Sequence, residues 1–236
     1  MKCGIVVFPG SNCDHDCYHI LKHILNQETH WLWHKEEVDL ESFDLVVLPG
    51  GFSYGDYLRA GAIARFSPIM NSIIRFAKKG GKVLGICNGF QILLECGLLP
   101  GVLIQNQSRK FICKNVFVCI DNPDTAFTQD CGEKNVLQIP IAHHQGSYYI
   151  DPYSLSQLEE NGQIIFRYCE PGGNVSVESN PNGSVGSVAG VANEQKNVMG
   201  MMPHPERCCE NDIGGIDGSL IFKSIASYIG NTLEKQ

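Results

Sequence analysis

The sequence of 236 residues has no long apolar run and no cluster of basic residues. No stretch approaches the ~18 consecutive apolar residues of a membrane-spanning helix, and the apolar segment 3–8 is too short for a secretory signal. Charged residues make up only 18% of the chain and the net charge is −7. This disfavours a nucleic-acid partner, because such partners are held by clustered Lys and Arg. We therefore expect a cytoplasmic protein that binds neither membrane nor nucleic acid.

Disulfide and zinc-binding patterns are also missing, although the chain has eleven cysteines. Their number is odd and their spacings contain no repeated C-x-x-C pairs. The segment 13–17, Cys-Asp-His-Asp-Cys, resembles a metal cluster, but no second ligand group follows at zinc spacing. A loop entering a helix is the favoured interpretation. We expect reduced thiols, as in a reducing cytoplasm, and no metal site.

The first half of the chain alternates between strand and helix patterns. Apolar runs at 3–8, 29–33, 43–48 and 82–86 are separated by helical spacing at 17–25 and at 67–79. Ser67 is placed as an N-cap and Pro68 as the first residue of the second helix. Such alternation predicts an α/β fold with an open, mostly parallel, twisted sheet covered by helices on both faces, as in flavodoxin-like proteins.

The second half has a different texture, with short apolar runs separated by turns rich in Asn, Pro and Gly. The strand candidates are residues 116–120, 136–142, 164–169, 184–192 and 198–202. These runs predict additional antiparallel strands in the C-terminal half, and helical spacing predicts a last helix over 217–233. No internal repeat or linker is visible, so we expect a single domain over residues 1–236.

Cys87 follows the buried-strand pattern 82–86 and precedes a helical pattern at 90–95. The intervening Gly85-Ile86-Cys87-Asn88-Gly89 is typical of a nucleophile elbow with cysteine in place of serine. A thiol at the start of a helix is favoured as the thiolate by the positive end of the helix dipole. The motif alone is equally compatible with a buried, inert cysteine.

A His-Pro-Glu sequence at 204–206 supplies the partners that a catalytic cysteine needs. In an extended strand, residues two apart face the same side, so His204 and Glu206 are expected to share one site as base and orienter. A lone His-x-Glu is more often a surface turn, and the pairing with Cys87 is what gives it weight. Gly50-Gly51, after another strand, can present backbone N–H groups to an oxyanion, although Gly-Gly is more often a plain turn.

These motifs together resemble the class I, or triad, glutamine amidotransferases. More narrowly, the chain resembles the glutaminase subunit of phosphoribosylformylglycinamidine synthase, an enzyme of de novo purine biosynthesis. The resemblance covers nearly the whole chain, and its segments are residues 8–13, 50–64, 67–70, 85–91, 106–113 and 140–143. The block 50–64, Gly-Gly-Phe-Ser-Tyr-Gly-Asp-Tyr-Leu-Arg-Ala-Gly-Ala-Ile-Ala, is the most specific of them.

The resemblance implies hydrolysis of L-glutamine to glutamate and ammonia. Its motifs match at three catalytic positions, so Cys87 is implied as the nucleophile, His204 as the acid and base, and Glu206 as its orienter. The oxyanion hole would consist of the backbone N–H groups of Gly51 and Asn88. Gln91, one helical turn past the nucleophile, is a candidate substrate-binding residue.

The same resemblance implies partner subunits. Ammonia would pass to a synthetase subunit, which uses ATP and Mg²⁺ to convert formylglycinamide ribonucleotide to formylglycinamidine ribonucleotide. A small accessory subunit would complete the complex, and this chain itself would need no cofactor.

The chain departs from the family pattern at one place and leaves two alternatives open. After His143 the family usually has Gly-Glu-Gly, whereas this chain has His144-Gln145-Gly146. An amide replaces a carboxylate, so a role of that acid at the substrate entrance or a subunit interface is not carried over. One alternative is a cysteine hydrolase or chaperone-like protein of the same fold. The other is a non-catalytic binding domain whose elbow cysteine is merely buried.

Overall fold

A computed structural model describes residues 1–132 and 134–233. The strands are β1 Lys2–Val7, β2 Glu28–Trp33, β3 Leu45–Leu48, β4 Lys82–Ile86, β5 Val102–Ile104, β6 Ile112–Ile120, β7 Val136–His143, β8 Ser147–Tyr149, β9 Ile164–Cys169, β10 Val188–Ala192 and β11 Val198–Met201. The helices are α1 Asp14–Tyr18, which continues as a π-helical turn over His19–Ile24, α2 Pro68–Lys78, α3 Asn88–Glu95, α4 Pro152–Glu160 and α5 Asp217–Leu233.

Nine of the strands form one mixed sheet in the order β2-β1-β3-β4-β11-β10-β9-β6-β7. Strands β2, β1, β3, β4 and β11 pair in parallel. The order β2-β1-β3-β4 is that of flavodoxin-like sheets. From β11 onward every pairing is antiparallel. The predicted α/β class is confirmed, and the antiparallel strands extend the same sheet, while β5 and β8 form a separate two-stranded sheet.

The structure contains elements that the sequence patterns did not reveal. Strands β5 and β8 have three residues each, too few for a visible alternation. Helix α4 buries only Leu158, so it shows little helical periodicity in its apolar residues. The expected strand 184–192 begins instead with a 3-10 turn, and extended pairing starts at Val188.

Ser67 occupies the N-cap position of helix α2 as predicted, but its side chain has a different partner from the one a cap would have. The helix begins at Pro68 as expected, but the Ser67 side chain makes no capping hydrogen bond. Its hydroxyl lies 2.9 Å from the hydroxyl of Tyr54. The serine therefore ties the loop after β3 to the start of α2, a long-range contact that local capping rules do not include.

The carboxyl ends of the central parallel strands meet at one edge of the sheet. Gly51, after β3, bridges to Ser11, after β1. The N–H of Cys87, after β4, donates to the carbonyl of Met201 at the end of β11, at 2.8 Å. The glycine-containing turns after these strands therefore converge on one rim, where ligands of such sheets bind. Among the described helices, none has the length and apolar character needed to cross a membrane.

Candidate active site

Cys87 occupies a strained turn between β4 and α3. Its φ of +49° and ψ of −103° lie outside the regions that non-glycine residues favour, and such strain persists only where the surroundings enforce it. The close approach is made possible by glycines, since a Cβ on Gly89 would overlap the carbonyl oxygen of Leu48 in β3. A Cβ on Gly85 would lie 2.8 Å from the backbone of Gly89. The sequence therefore folds here into the expected elbow, which holds the thiol at the start of α3.

His204 and Glu206 meet in the interior, although not in the way the strand pattern suggested. Strand β11 ends at Met201, and residues Pro205–Arg207 form a 3-10 turn. The turn brings Nδ1 of His204 to 2.6 Å from Oε1 of Glu206, and both side chains are buried. The expectation of a shared site was right, but the alternation of an extended strand was the wrong reason for it.

The electrostatics of His204 suit proton transfer at its second nitrogen. Burial alone would lower its pKa, but the charges of Glu206 and Cys87 outweigh burial and raise the pKa well above its usual range. Because the carboxylate of Glu206 accepts a hydrogen bond from Nδ1–H, this tautomer is fixed. Nε2 is buried and has no hydrogen-bond partner among the described residues. The imidazole is therefore oriented by one nitrogen and left free to exchange a proton through the other.

Cys13 lies on the far side of this pair. Its sulfur is 3.9 Å from Nδ1 of His204, and with Glu206 the three form a buried group whose ligand-type atoms all lie within 4.8 Å of one another. The guanidinium of Arg207 donates to the Cys13 sulfur at 2.9 Å. The positive charge of Arg207 lies at the sulfur and would repel a metal ion there. His204 and Glu206 are already hydrogen-bonded to each other. The arrangement favours a role in holding the His–Glu pair over a metal site.

The two residues implied for an oxyanion hole are near Cys87: Gly51 lines the same pocket, and Asn88 follows Cys87 in the chain. Gly51 has a φ of +141°, and a Cβ there would lie 2.8 Å from the backbone nitrogen of Asn12. In its bridge to Ser11, the hydrogen bond is donated by the N–H of Phe52 to Gly10, so the bridge does not consume the N–H of Gly51. Asn88 opens α3, and the first N–H groups of a helix have no intrahelical acceptor.

Gln91 lines the pocket beside Cys87, and the side chain of Asn88 holds it there. Asn88 Nδ2 donates to Gln91 Oε1 at 2.9 Å, and Gln91 Nε2 donates to the carbonyl of Gln145 at 2.7 Å. Asn88 Oδ1 also accepts from the backbone N–H of Ser53 at 3.1 Å. The predicted substrate-binding residue is thus held on both sides, with one amide N–H remaining for a further contact.

The segment after β7, where the chain departs from the family pattern, forms the opposite wall. Asn106 Nδ2 donates to the carbonyl of His143, and Asn106 Oδ1 accepts from the N–H of Gly146 and from Nδ1 of His143. Burial lowers the pKa of His143 to about 4, so its ring is neutral near pH 7. Gln145 contributes its backbone carbonyl, a group that any residue supplies. The departure at 144–145 therefore leaves this wall intact.

Sequence reasoning missed two polar residues of this region. Asp56 faces the pocket, and Asn106 holds the 143–146 segment. Both lie in segments that carried the family resemblance, but neither sits in a recognisable catalytic motif. The only available signal was the unusual density of Gly, Ser, Asn and Asp at strand ends.

Comparison with known proteins is consistent with this geometry. Residues 1–214 match the family described as the CobB/CobQ-like glutamine amidotransferase domain. The chain is 55% identical over 228 residues to the phosphoribosylformylglycinamidine synthase subunit PurQ of Moorella thermoacetica, covering 97% of this chain and 96% of that protein. It is 53% identical over 226 residues to the PurQ subunit of Salinibacter ruber, covering 96% of each.

A solved structure has the same architecture. The chain aligns with a chain in the structure of PurLQS from Thermotoga maritima with a TM-score of 0.84 and 45% sequence identity. The alignment covers 97% of this chain and 98% of that one. The likeness therefore extends over both the parallel and the antiparallel parts of the sheet.

Proposed function

Because this chain belongs to the CobB/CobQ-like glutamine amidotransferase family, we propose that Cys87, His204 and Glu206 are its catalytic triad. The chain hydrolyses L-glutamine to glutamate and ammonia. The ammonia serves a synthetase subunit that converts formylglycinamide ribonucleotide to formylglycinamidine ribonucleotide in purine biosynthesis. Similarity to PurQ subunits over nearly the whole chain supports this assignment. The residue roles rest on the buried 2.6 Å pairing of His204 with Glu206 beside Cys87.

In the first half of the reaction the Cys87 thiolate attacks the side-chain carboxamide carbon of glutamine. The carbonyl π electrons move to its oxygen, and a tetrahedral intermediate forms. The C–N bond then breaks, and the departing nitrogen takes the proton from Nε2 of the charged His204. Ammonia leaves and a thioester on Cys87 remains. The raised pKa of His204 means that this proton is present at neutral pH.

In the second half a water molecule attacks the thioester. His204, now neutral, takes the proton of the water at Nε2, and collapse of the second tetrahedral intermediate releases glutamate and the Cys87 thiolate. Glu206 holds the imidazole in one tautomer and stabilises its charged form in both halves. Burial strengthens this interaction because water does not screen it.

The oxyanion of both intermediates is assigned to the backbone N–H groups of Gly51 and Asn88. The free N–H at the start of α3 and the left-handed backbone of Gly51 support this role. Gln91 is assigned to the substrate pocket, where its remaining amide N–H can contact glutamine. No metal or organic cofactor takes part in these steps, whereas ATP and Mg²⁺ would be used by the synthetase subunit.

The chain works in a complex with the synthetase subunit and a small accessory subunit. We propose that this complex works in the cytoplasm. We also propose that residues 1–236 form one domain, although 133 and 234–236 lie outside the described residues. The nine-stranded sheet and a core that draws on both halves of the chain support this proposal.

A Cys87→Ala variant of the assembled complex tests the triad. It should lose glutamine-dependent synthesis of the amidine but retain synthesis driven by added ammonia, because the synthetase site is untouched. Cys113→Ala, at an exposed cysteine, is the matched control and should retain both activities. Glutamine-dependent turnover by the Cys87 variant would show that another residue is the nucleophile. Absence of ammonia-dependent synthesis in the control complex would contradict the partner reaction.

A further inference from the structure

Asp56 is the only carboxylate among the nine residues that line the pocket beside Cys87. The other polar groups of this lining are the thiol, the amides of Gln91 and Gln145 and the imidazoles of His143 and His144. Apart from the Cys87 thiolate, which is needed for attack on the carboxamide, none of these groups carries a negative charge that could face an ammonium. The pocket therefore contains one place suited to a cation.

The Asp56 carboxylate has no ion-pair partner in the described part of the chain. Its contact there is weak, since Oδ1 lies 3.5 Å from Nδ2 of Asn88. Partial burial raises its pKa to about 6, with no neighbouring cation to oppose this effect. Two other carboxylates with little exposed area are paired with cations: Glu95 with Arg59 at 2.6 Å, and Asp217 with Lys134. The desolvation of Asp56 is therefore not offset by any cation in the described part of the chain.

Asp56 lies in a loop whose backbone conformation is uncommon for residues other than glycine. Tyr54, Asp56 and Leu58 all have positive φ values, of 53°, 54° and 69°. Such a run of left-handed residues requires support from its surroundings. The support comes from Asn88, which accepts from the N–H of Ser53, and from the Tyr54 hydroxyl, which lies 2.7 Å from Nδ1 of His34. A residue adjacent to the nucleophile therefore anchors the loop that carries the carboxylate.

We propose that Asp56 binds the α-ammonium group of glutamine, so that the pocket selects an amino acid over a plain amide. This inference rests on the proposed glutaminase function. The substrate must bring its ammonium group out of water, and a charge-assisted hydrogen bond to a carboxylate offsets that loss. The same contact fixes the substrate at its α-carbon end, which orients the carboxamide at the other end toward Cys87.

The test compares two substrates in the assembled complex. Glutamine and glutaramate, which is glutamine without its α-ammonium group, are assayed for hydrolysis by the wild type and by Asp56→Asn. The wild type should prefer glutamine. In Asp56→Asn, kcat/KM for glutamine should fall about 10–100-fold, mainly through KM, as expected for loss of a charge-assisted hydrogen bond. The value for glutaramate should stay within about threefold, because that substrate never makes the contact.

Two further measurements make the outcome decisive. Asp56→Glu, which keeps the charge, should recover part of the preference for glutamine. An equal loss on both substrates would assign Asp56 a structural role only, and unchanged kinetics on both would remove it from recognition; either result overturns the proposal. A wild-type complex without glutaminase activity would instead contradict the proposed function itself, so the two failures are distinguishable.

Discussion

Nδ1 of His204 lies 2.6 Å from Oε1 of Glu206, with both side chains buried and only Pro205 between them in the sequence. The short spacing and the 3-10 turn make the pair a local unit that is preformed before substrate binds. Its position beside Cys87, by contrast, depends on the adjacent placement of β4 and β11. Glu206 therefore stabilises the charged form of His204, and the sheet sets the position of His204 relative to Cys87.

Removal of the Glu206 charge should disable this base. We expect Glu206→Gln to lower kcat for glutamine hydrolysis about 10²–10⁴-fold, the range typical of general acid–base catalysis. Loss of the carboxylate also lowers the pKa of His204, so the alkaline limb of the kcat–pH profile should move to lower pH. The measurement is steady-state hydrolysis across pH 5 to 9.

Glu210→Gln provides the matched control for that variant. Glu210 lies in the same segment but pairs with His19 at 2.7 Å, away from the pocket. The Glu210→Gln variant should leave both the rate of glutamine hydrolysis and its pH profile unchanged. Similar losses in the two variants would show that general destabilisation of this segment, and not the His204–Glu206 contact, causes the effect.

The oxyanion hole should be sensitive to a single methyl group at Gly51. In Gly51→Ala, the added Cβ would lie 2.8 Å from the nitrogen of Asn12 and 2.9 Å from the carbonyl of Gly10, so the backbone must shift. We expect a fall in kcat of about 10²–10³-fold, as for loss of one oxyanion donor. Gly97→Ala is the control, since its φ of +68° is also positive but no atom lies within 4 Å of a Cβ there. A comparable fall in kcat in both variants would show that backbone strain, and not loss of an oxyanion donor, causes the effect.

Recognition of the α-ammonium group should depend on pH. The pKa of Asp56 is raised to about 6, so its carboxylate is charged at pH 7 and increasingly protonated below pH 6. We expect KM for glutamine to rise as pH falls through this value, approaching tenfold per pH unit. The titratable groups that share the pocket are Cys87, His143 and His144. Asp56→Asn separates their effects, because its KM should lack this rise; an identical profile in the variant would contradict the assignment.

The glutamine at position 145, where the family usually has glutamate, should have little effect on kcat/KM. Gln91 bonds to the backbone carbonyl of residue 145, so Gln145→Glu keeps this contact and should change kcat/KM less than about threefold. Gln91→Ala removes the hydrogen bonds themselves and should lower kcat/KM about 2–10-fold, as for one or two neutral hydrogen bonds. A larger effect of Gln145→Glu than of Gln91→Ala would show that the side chain at 145 acts on substrate.

The synthetase subunit should accelerate glutamine hydrolysis by this chain. Ammonia formed by the isolated chain would be lost to solvent, whereas in the complex the synthetase subunit consumes it. We therefore expect hydrolysis to be slow until the partner binds. The measurement is the rate of glutamate formation by the isolated chain and by the complex. Equal rates would contradict this coupling.

Much of the fold could be predicted because its signals are local. The runs at 3–8, 43–48 and 82–86 are buried strands since they are apolar and end in turns, and these strands lie where expected. The short β5 and β8 and the polar α4 could not be predicted, because tertiary contacts stabilise them more than their own patterns do. Ser67 is at the predicted N-cap position, but local rules could not show that its hydroxyl bonds to Tyr54.

The sequence indicated the chemistry of this protein through the combination of the elbow, the glycine turn and His-Pro-Glu with the long block 50–64, since each short motif alone has common structural uses. Which other side chains lie close to these motifs depends on the tertiary structure. Cys13 approaches His204 from 191 residues away, and Asn88 anchors Ser53 from 35 residues away. Such contacts arise where strand ends distant in sequence converge on one edge of the sheet. Asp56 therefore acquired a place in the pocket that no local pattern could have indicated.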